Sequence, residues 1–196
     1  MNAERKQNRR QHILEVLASE LETNPGSRIT TAGLAAAVGV SEAALYRHFA
    51  SKAKMFEALI DFSEETVFGL VNKIISNETN AITRCEKIIQ VLLGFSERNP
   101  GITRILIGDA LVGENERLHK RVIQFFDRLE TQLRQILREA NLGDGPRPIS
   151  NIEAASNMMV TYIEGKMSQF ARSSFDKKPT EHWDEQWVVM QSGLFR

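Results

Sequence analysis

Cysteine is almost missing from this chain, and long apolar runs are missing altogether. A single cysteine, Cys85, among 196 residues cannot staple a fold and fits a reducing cytoplasm. The longest apolar stretches fall far short of the roughly 20 residues a spanning helix needs, so no segment reads as a membrane helix. Met1 to Arg10 is polar and basic with no apolar stretch behind it, and no secretory leader is expected there. Strand signals, the short alternating runs rich in Val, Ile, Thr and Tyr, are absent as well. Four scattered histidines, His12, His48, His119 and His182, share no metal-ligand spacing with Cys85. Gly143-Asp144-Gly145 runs into Pro146 and follows no strand, so it is a loop and not a phosphate cradle. Met158, Met159, Met167, Trp183 and Trp187 read as core and dimer-interface residues before they read as a cofactor box. No catalytic group, metal or cofactor is expected.

What is present suffices for an ordinary globular protein of one or two modest domains, with 42% hydrophobic and 26% charged residues. The 25 basic and 25 acidic side chains cancel in sum but not in distribution. Residues 1–56 carry Arg5, Lys6, Arg9, Arg10, Arg28, Arg47, Lys52 and Lys54 against Glu4, Glu15, Glu20, Glu22 and Glu42. A basic N-terminal piece on an acidic body suggests an anionic partner, nucleic acid foremost. An excess of three charges is equally compatible with chance.

Nearly every segment has helical periodicity, which predicts an all-α fold. Ile13, Leu14, Leu17, Ala18 and Leu21 form one stripe of a helix from about Arg5 to Glu22, broken by Pro25-Gly26. Two short helices are expected at about 30–37 and 41–48. A longer one begins near Ser51, with Phe56, Leu59, Ile60, Ser63, Val67, Leu70, Val71 and Ile74 on one side. Further helices are expected at about 81–99, ending at Asn99-Pro100-Gly101, and at about 103–112, 115–140, 152–174 and 181–194. Asn141 to Ser150, with two glycines and two prolines, is the clearest loop. The domain boundary is placed near residue 50, giving residues 1–50 and 51–196.

The stretch Thr30 to Phe49 carries the chemistry. Ala35 is small enough for two steeply crossed helices to touch, and Gly39 tolerates the positive φ of a three-residue reversal. Leu34, Val38, Val40, Leu45 and Phe49 fill the wedge, while Ser41 and Thr30 or Thr31 are good N-caps. This is helix-turn-helix spacing. Its second helix would present Ser41, Glu42, Ala43, Ala44, Tyr46 and Arg47, with side chains small enough at the start to enter a major groove. Arg47 could reach guanine or phosphate. Tyr46, His48, Lys52, Thr30 and Thr31 read as phosphate contacts, which position without specifying sequence. Arg9 and Arg10, with Arg5 and Lys6, either lie along the DNA or form a solvated helix start.

The helix-turn-helix at 30–49, the string Leu45-Tyr46-Arg47-His48-Phe49 and the following Ser51-Lys52 resemble the TetR family of regulators. Ile29-Thr30-Thr31-Ala32, Val38 to Phe49 and Leu93-Gly94-Phe95-Ser96-Glu97-Arg98-Asn99-Pro100-Gly101 are similar to that family's nucleoid-occlusion branch. So are Leu133-Arg134-Gln135 and the segment from Phe170 to Thr180, so the likeness covers most of the chain. The resemblance implies a three-helix DNA-binding domain with a helix-turn-helix, joined to a helical dimerisation domain. It implies a homodimer on palindromic double-stranded DNA, located in the cytoplasm at the nucleoid. It further implies that the tubulin-like division protein FtsZ is antagonised over the chromosome. Pairing would run through the helices at 115–140 and 152–174, with Leu118, Val122, Phe125, Leu129, Met159 and Tyr162 at the interface. Two departures stand out: Ala50 replaces the usual proline, and Leu70 stands where the resemblance leads one to expect a basic residue.

The FtsZ-facing surface is expected near the junction of body and DNA-binding domain. At about 100° per residue, Phe62 lies roughly 120° from the centre of its helix's apolar stripe, which suits an exposed anchor or a flank contact. Gly94 and Arg98 share one face of the next helix, which Asn99 ends. The rival reading is a ligand-responsive TetR-type repressor, with a closed cavity along the Met158/Met159 helix. A third is a helical interaction protein that binds no DNA. On the DNA-binding reading, specific affinity should be about 10⁻⁸ M or tighter. It should fall roughly 10³-fold between 50 and 200 mM salt.

Overall fold

The computed structural model describes residues 2–143, 145–149 and 151–196, with side chains described from residue 7 onward. The side chains of Arg5 and Lys6, and residues Asp144 and Ser150 of the expected loop, lie outside that description. The described regular structure is helical: α1 Asn2–Thr23, α2 Thr31–Val38, α3 Glu42–Tyr46, α4 Lys52–Asn77, α5 Ala81–Arg98, α6 Pro100–Leu106, a 3-10 turn Asp109–Leu111, α7 Glu116–Leu142, α8 Ile152–Arg172 and α9 Trp183–Leu194. An isolated antiparallel bridge joins Pro148 to Phe195. Two compact units result, Met1–Ser63 with Asn99–Val122 and Glu64–Arg98 with Ile123–Arg196.

In the first unit, Ile13, Leu17 and Leu21 of α1 are buried, and this stripe packs on α2 and α6. The approach to α6 is close enough to dictate a residue. A Cβ on Gly101 would lie 2.0 Å from the carbonyl oxygen of Ala18, inside any permissible contact, so only glycine fits. The sequence reading treats Asn99-Pro100-Gly101 as a gap before a helix at 103. Instead α6 starts at Pro100, because a proline at the first helical position gives up an N–H that would be unpaired anyway.

Arg104, on α6, is 3% exposed. Its guanidinium donates to the carbonyls of Leu21 at 2.8 Å and Asn24 at 3.1 Å and pairs with Asp109. A guanidinium so buried persists only when its donors are matched. Here it caps the open carbonyl end of α1.

The second unit buries Ile88, Ile89 and Leu92 of α5 with Leu129, Leu133 and Ile136 of α7 and Met159, Ile163 and Met167 of α8. α8 and α9 both pack on α5. The Trp183 and Trp187 rings stack 5.4 Å apart, and Phe68 meets Phe125 at 5.3 Å with the Arg128 guanidinium 3.9 Å above the Phe68 ring. On α4 the expected stripe is buried from Phe56 to Val71, except that Leu70 is exposed.

Candidate nucleic-acid interface

The turn between α2 and α3 follows from its residues. Gly39 adopts φ +75° and ψ +36°, a conformation open to glycine at no steric cost. Its N–H donates to Ala36 O and that of Val40 to Ala35 O, which closes the end of α2. Thr30 Oγ1 accepts the N–H of Gly33 at 3.0 Å, and Ser41 Oγ that of Ala44 at 3.2 Å. Both residues are therefore N-caps. Leu34, Ala35, Val38, Leu45 and Phe49 are buried beneath the turn.

The outer side carries most of the expected contact residues. Ser41, Glu42, Ala43, Tyr46 and Arg47 are exposed on α3 and at its ends, and Thr30 is exposed at the start of α2. The Tyr46 hydroxyl donates to Thr31 Oγ1 at 3.3 Å, so two expected phosphate ligands from different helices meet. Regular helix stops at Tyr46, leaving Arg47 and His48 in the closing turn. His48 is half-buried.

Two expected contacts have other partners. Arg10 donates to the His48 carbonyl and its guanidinium lies 4.2 Å over the Phe49 ring, so it braces α1 against the end of the motif. Lys52 is held within the protein. Its ammonium is 2.8 Å from Ile29 O and 2.6 Å from the Glu114 carboxylate, and its side chain is 17% exposed. An ammonium shared between a carbonyl and a carboxylate braces the two segments that carry them. Arg9 is exposed. Sequence reasoning missed Glu114 because its partners, Lys52 and Arg28, are far away in the chain and no local spacing marks it.

Residues 13–59 match the family described as bacterial regulatory proteins, tetR family. Residues 79–194 match the SlmA-like family described as tetracyclin repressor-like, C-terminal domain. The nucleoid occlusion factor SlmA of Shewanella woodyi is 54% identical over 100% of both chains. That of Alteromonas mediterranea is 55% identical over 97% of this chain and 98% of its own. The chain belongs to the SlmA family. The TetR-like fold, common to this family and more distant regulators, is shown also by solved structures. The MbdR regulator of Azoarcus sp. CIB superposes with a TM-score of 0.80 at 16% identity, covering 94% of this chain and 97% of that one. A TetR transcription regulator of Haloarcula marismortui gives 0.78 at 16% identity, covering 97% and 100%.

Of the residues expected to face a protein partner, two sit in each unit. Phe62 is 43% exposed and with Asn99 lines a cavity of about 150 Å³, floored by Leu14, Leu59 and Ile102. Gly94 and Arg98 lie together on α5. The guanidinium folds back to 3.4 Å from the place a Gly94 Cβ would occupy. On the same α5 face, Lys87 and Val91 join Leu70, Lys73 and Ile74 around a groove of about 240 Å³. Leu70 supplies no charge there, but Lys73 flanks it, and Lys87 is paired to Glu78 of the same groove at 2.9 Å.

The expected pairing residues lie elsewhere than at the surface. Leu118, Phe125, Leu129 and Met159 are at most 1% exposed and Val122 is 9% exposed. The half-buried Tyr162 donates to Gln186 at 2.6 Å. Their three-and-four spacing packs the chain's own helices first, which is where their apolar area is used. The large apolar side chains left exposed on α7, α8 and α9 are Ile123, Leu142, Met158, Val188 and Val189, with Leu142 at the very end of α7.

Proposed function

We infer that this protein binds palindromic DNA as a homodimer and, on the chromosome, antagonises assembly of FtsZ, which inhibits division over the nucleoid. The observation that carries the reading is a capped, glycine-cornered helix-turn-helix with a bare outer face, within a chain similar to SlmA proteins from end to end. In this reading residues 1–50 form the DNA-binding domain and residues 51–196 the dimerisation and partner-binding domain. Ser41, Glu42 and Ala43 enter the major groove, and Arg47 reads a base or holds a phosphate. Tyr46, Thr30, Thr31, His48 and Arg9 set the register on the backbone, and Arg10 orients the motif from behind. Pairing uses Ile123, Met158, Val188 and Val189 of the body.

FtsZ docks on two patches, the Phe62–Asn99 cavity and the Gly94–Arg98 face with its groove. An exposed aromatic beside an apolar hollow is the kind of anchor a partner segment fills. Lys73 beside the groove favours an acidic segment, Lys87 being paired to Glu78 of the same groove. Sedimentation of FtsZ polymers with the purified protein tests this, with and without chromosomal DNA fragments. Less polymer should pellet with the protein, and less still when DNA is present. An unchanged pellet in both arms overturns the reading.

A further inference from the structure

The motif is flanked by two cations, Arg28 before it and Lys52 after it, and both meet one carboxylate. Glu114, between the 3-10 turn and α7, takes Lys52 Nζ at 2.6 Å and Arg28 Nε at 3.4 Å. Lys52 also donates to Ile29 O, and Arg28 to Gly113 O at 3.1 Å. The Glu114 side chain is only 7% exposed, and a carboxylate so enclosed requires cationic partners. The three side chains thus tie together the residue before the α2 cap, the first residue of α4 and the start of α7, all within one compact unit.

Cations beside a DNA-reading helix attract the phosphates of every sequence alike, and this background competes with the specific site. A carboxylate that holds such cations against the protein lowers the background without touching a base. We propose that Glu114 is a specificity-determining residue for DNA binding, a positioning residue that acts through the enclosed Lys52 by withholding it from phosphate, whereas Arg28, its side chain 67% exposed, is steered but not withheld. The proposal rests on the DNA-binding reading above.

The test titrates full-length wild type, Glu114→Gln and Lys52→Met on a random-sequence duplex and on a site selected from chromosomal fragments, between 50 and 200 mM salt. Glu114→Gln should bind the random duplex more tightly at 50 mM. Its salt slope should steepen by about 1.8 for one cation recruited per chain of the dimer, an added loss of roughly twelvefold across that range. Its ratio of site to random affinity should fall. Lys52→Met should keep the wild-type slope. A merely structural Glu114 gives weaker binding at an unchanged slope, and that result overturns the proposal. A shallower slope for Lys52→Met also overturns it, by putting Lys52 on phosphate, and this arm stands even if Glu114→Gln fails to fold. Wild type that binds neither duplex overturns the DNA-binding reading itself, and the proposal with it.

Discussion

Gly101→Ala should unfold this protein more readily than any change of one methyl group normally does. The added Cβ would lie 2.0 Å from Ala18 O, 3.0 Å from Ala18 C and 3.1 Å from the Leu21 Cβ. Backbone atoms of α1 cannot swing aside as a side chain can, so the helices must separate by more than an ångström. Overpacking of this kind costs about 1–3 kcal/mol. Separation also stretches the bonds from Arg104 to Leu21 O and Asn24 O, and hydrogen bonds from a charged donor contribute about 1.5–3 kcal/mol each. Stretching rather than breaking these bonds forfeits about half of their contribution, so a total loss of roughly 2.5–6 kcal/mol follows. Gly69→Ala is the control, since a Cβ there meets nothing within 4 Å and helix propensity predicts a gain of about 0.5–1 kcal/mol. Urea unfolding at one fixed protein concentration measures both. Equal midpoints for the two variants would refute the argument from close approach.

Tyr46→Phe removes a hydroxyl that donates to Thr31. It should weaken every DNA site alike by about 1 kcal/mol, or roughly fivefold, whereas Arg47→Ala should reorder site preferences in a competitive gel shift. Gly94→Glu places a carboxylate against the Arg98 guanidinium and should relieve inhibition of FtsZ pelleting while leaving DNA affinity unchanged. A parallel loss of DNA binding would tell against a separate partner face. Burial pushes the Cys85 thiol up to about 12, above the roughly 8.5 of an open chain. The folded state therefore holds the thiol proton more tightly than the unfolded one. Its stabilising contribution is complete below about pH 8.5 and declines by at most about 1.4 kcal/mol per unit as pH rises toward 12. Unfolding curves of wild type and Cys85→Ala should converge between pH 8 and pH 10, and a constant gap would refute the assignment.

The local features were legible because local rules produce them. Gly39, the Ser41 and Thr30 caps and the stripe Ile13, Leu17, Leu21 each obey a short-range spacing, and each stands as expected. Phe62 was also legible, since its angle on the helix already set it off the apolar stripe, and it is exposed. Partners distant in sequence were not. Lys52 reads as a free cation until Glu114, 62 residues on, is seen beside it. Arg104 reads as surface until its contacts 83 and 80 residues back are known. Apolar spacing told that α7 and α8 pack along their lengths, but it carries no information on whether the facing helix belongs to the same chain. Leu118 and Met159 are buried within their own chain.

The same distinction changes the expected electrostatics of DNA binding. Among the described cations of residues 7–56, Arg10 lies on Phe49, Arg28 and Lys52 meet Glu114, and Lys54 meets Glu57. Among the described residues, Arg9 and Arg47 are the exposed cations of the motif and its leading helix that have no such internal partner. A dimer doubles each contact, so removing one such cation per chain should lower the salt slope by about 1.8. Arg9→Ala and Arg47→Ala should each do so, losing about twelvefold less affinity between 50 and 200 mM salt than wild type does. Arg10→Ala should weaken binding through the motif's orientation and leave the slope unchanged. Lys54→Ala should change neither. If Arg10→Ala or Lys54→Ala flattens the slope as Arg47→Ala does, the internal partners seen for these cations give way on DNA. The basic excess of the N-terminal segment would then act as a whole, as its composition alone suggests.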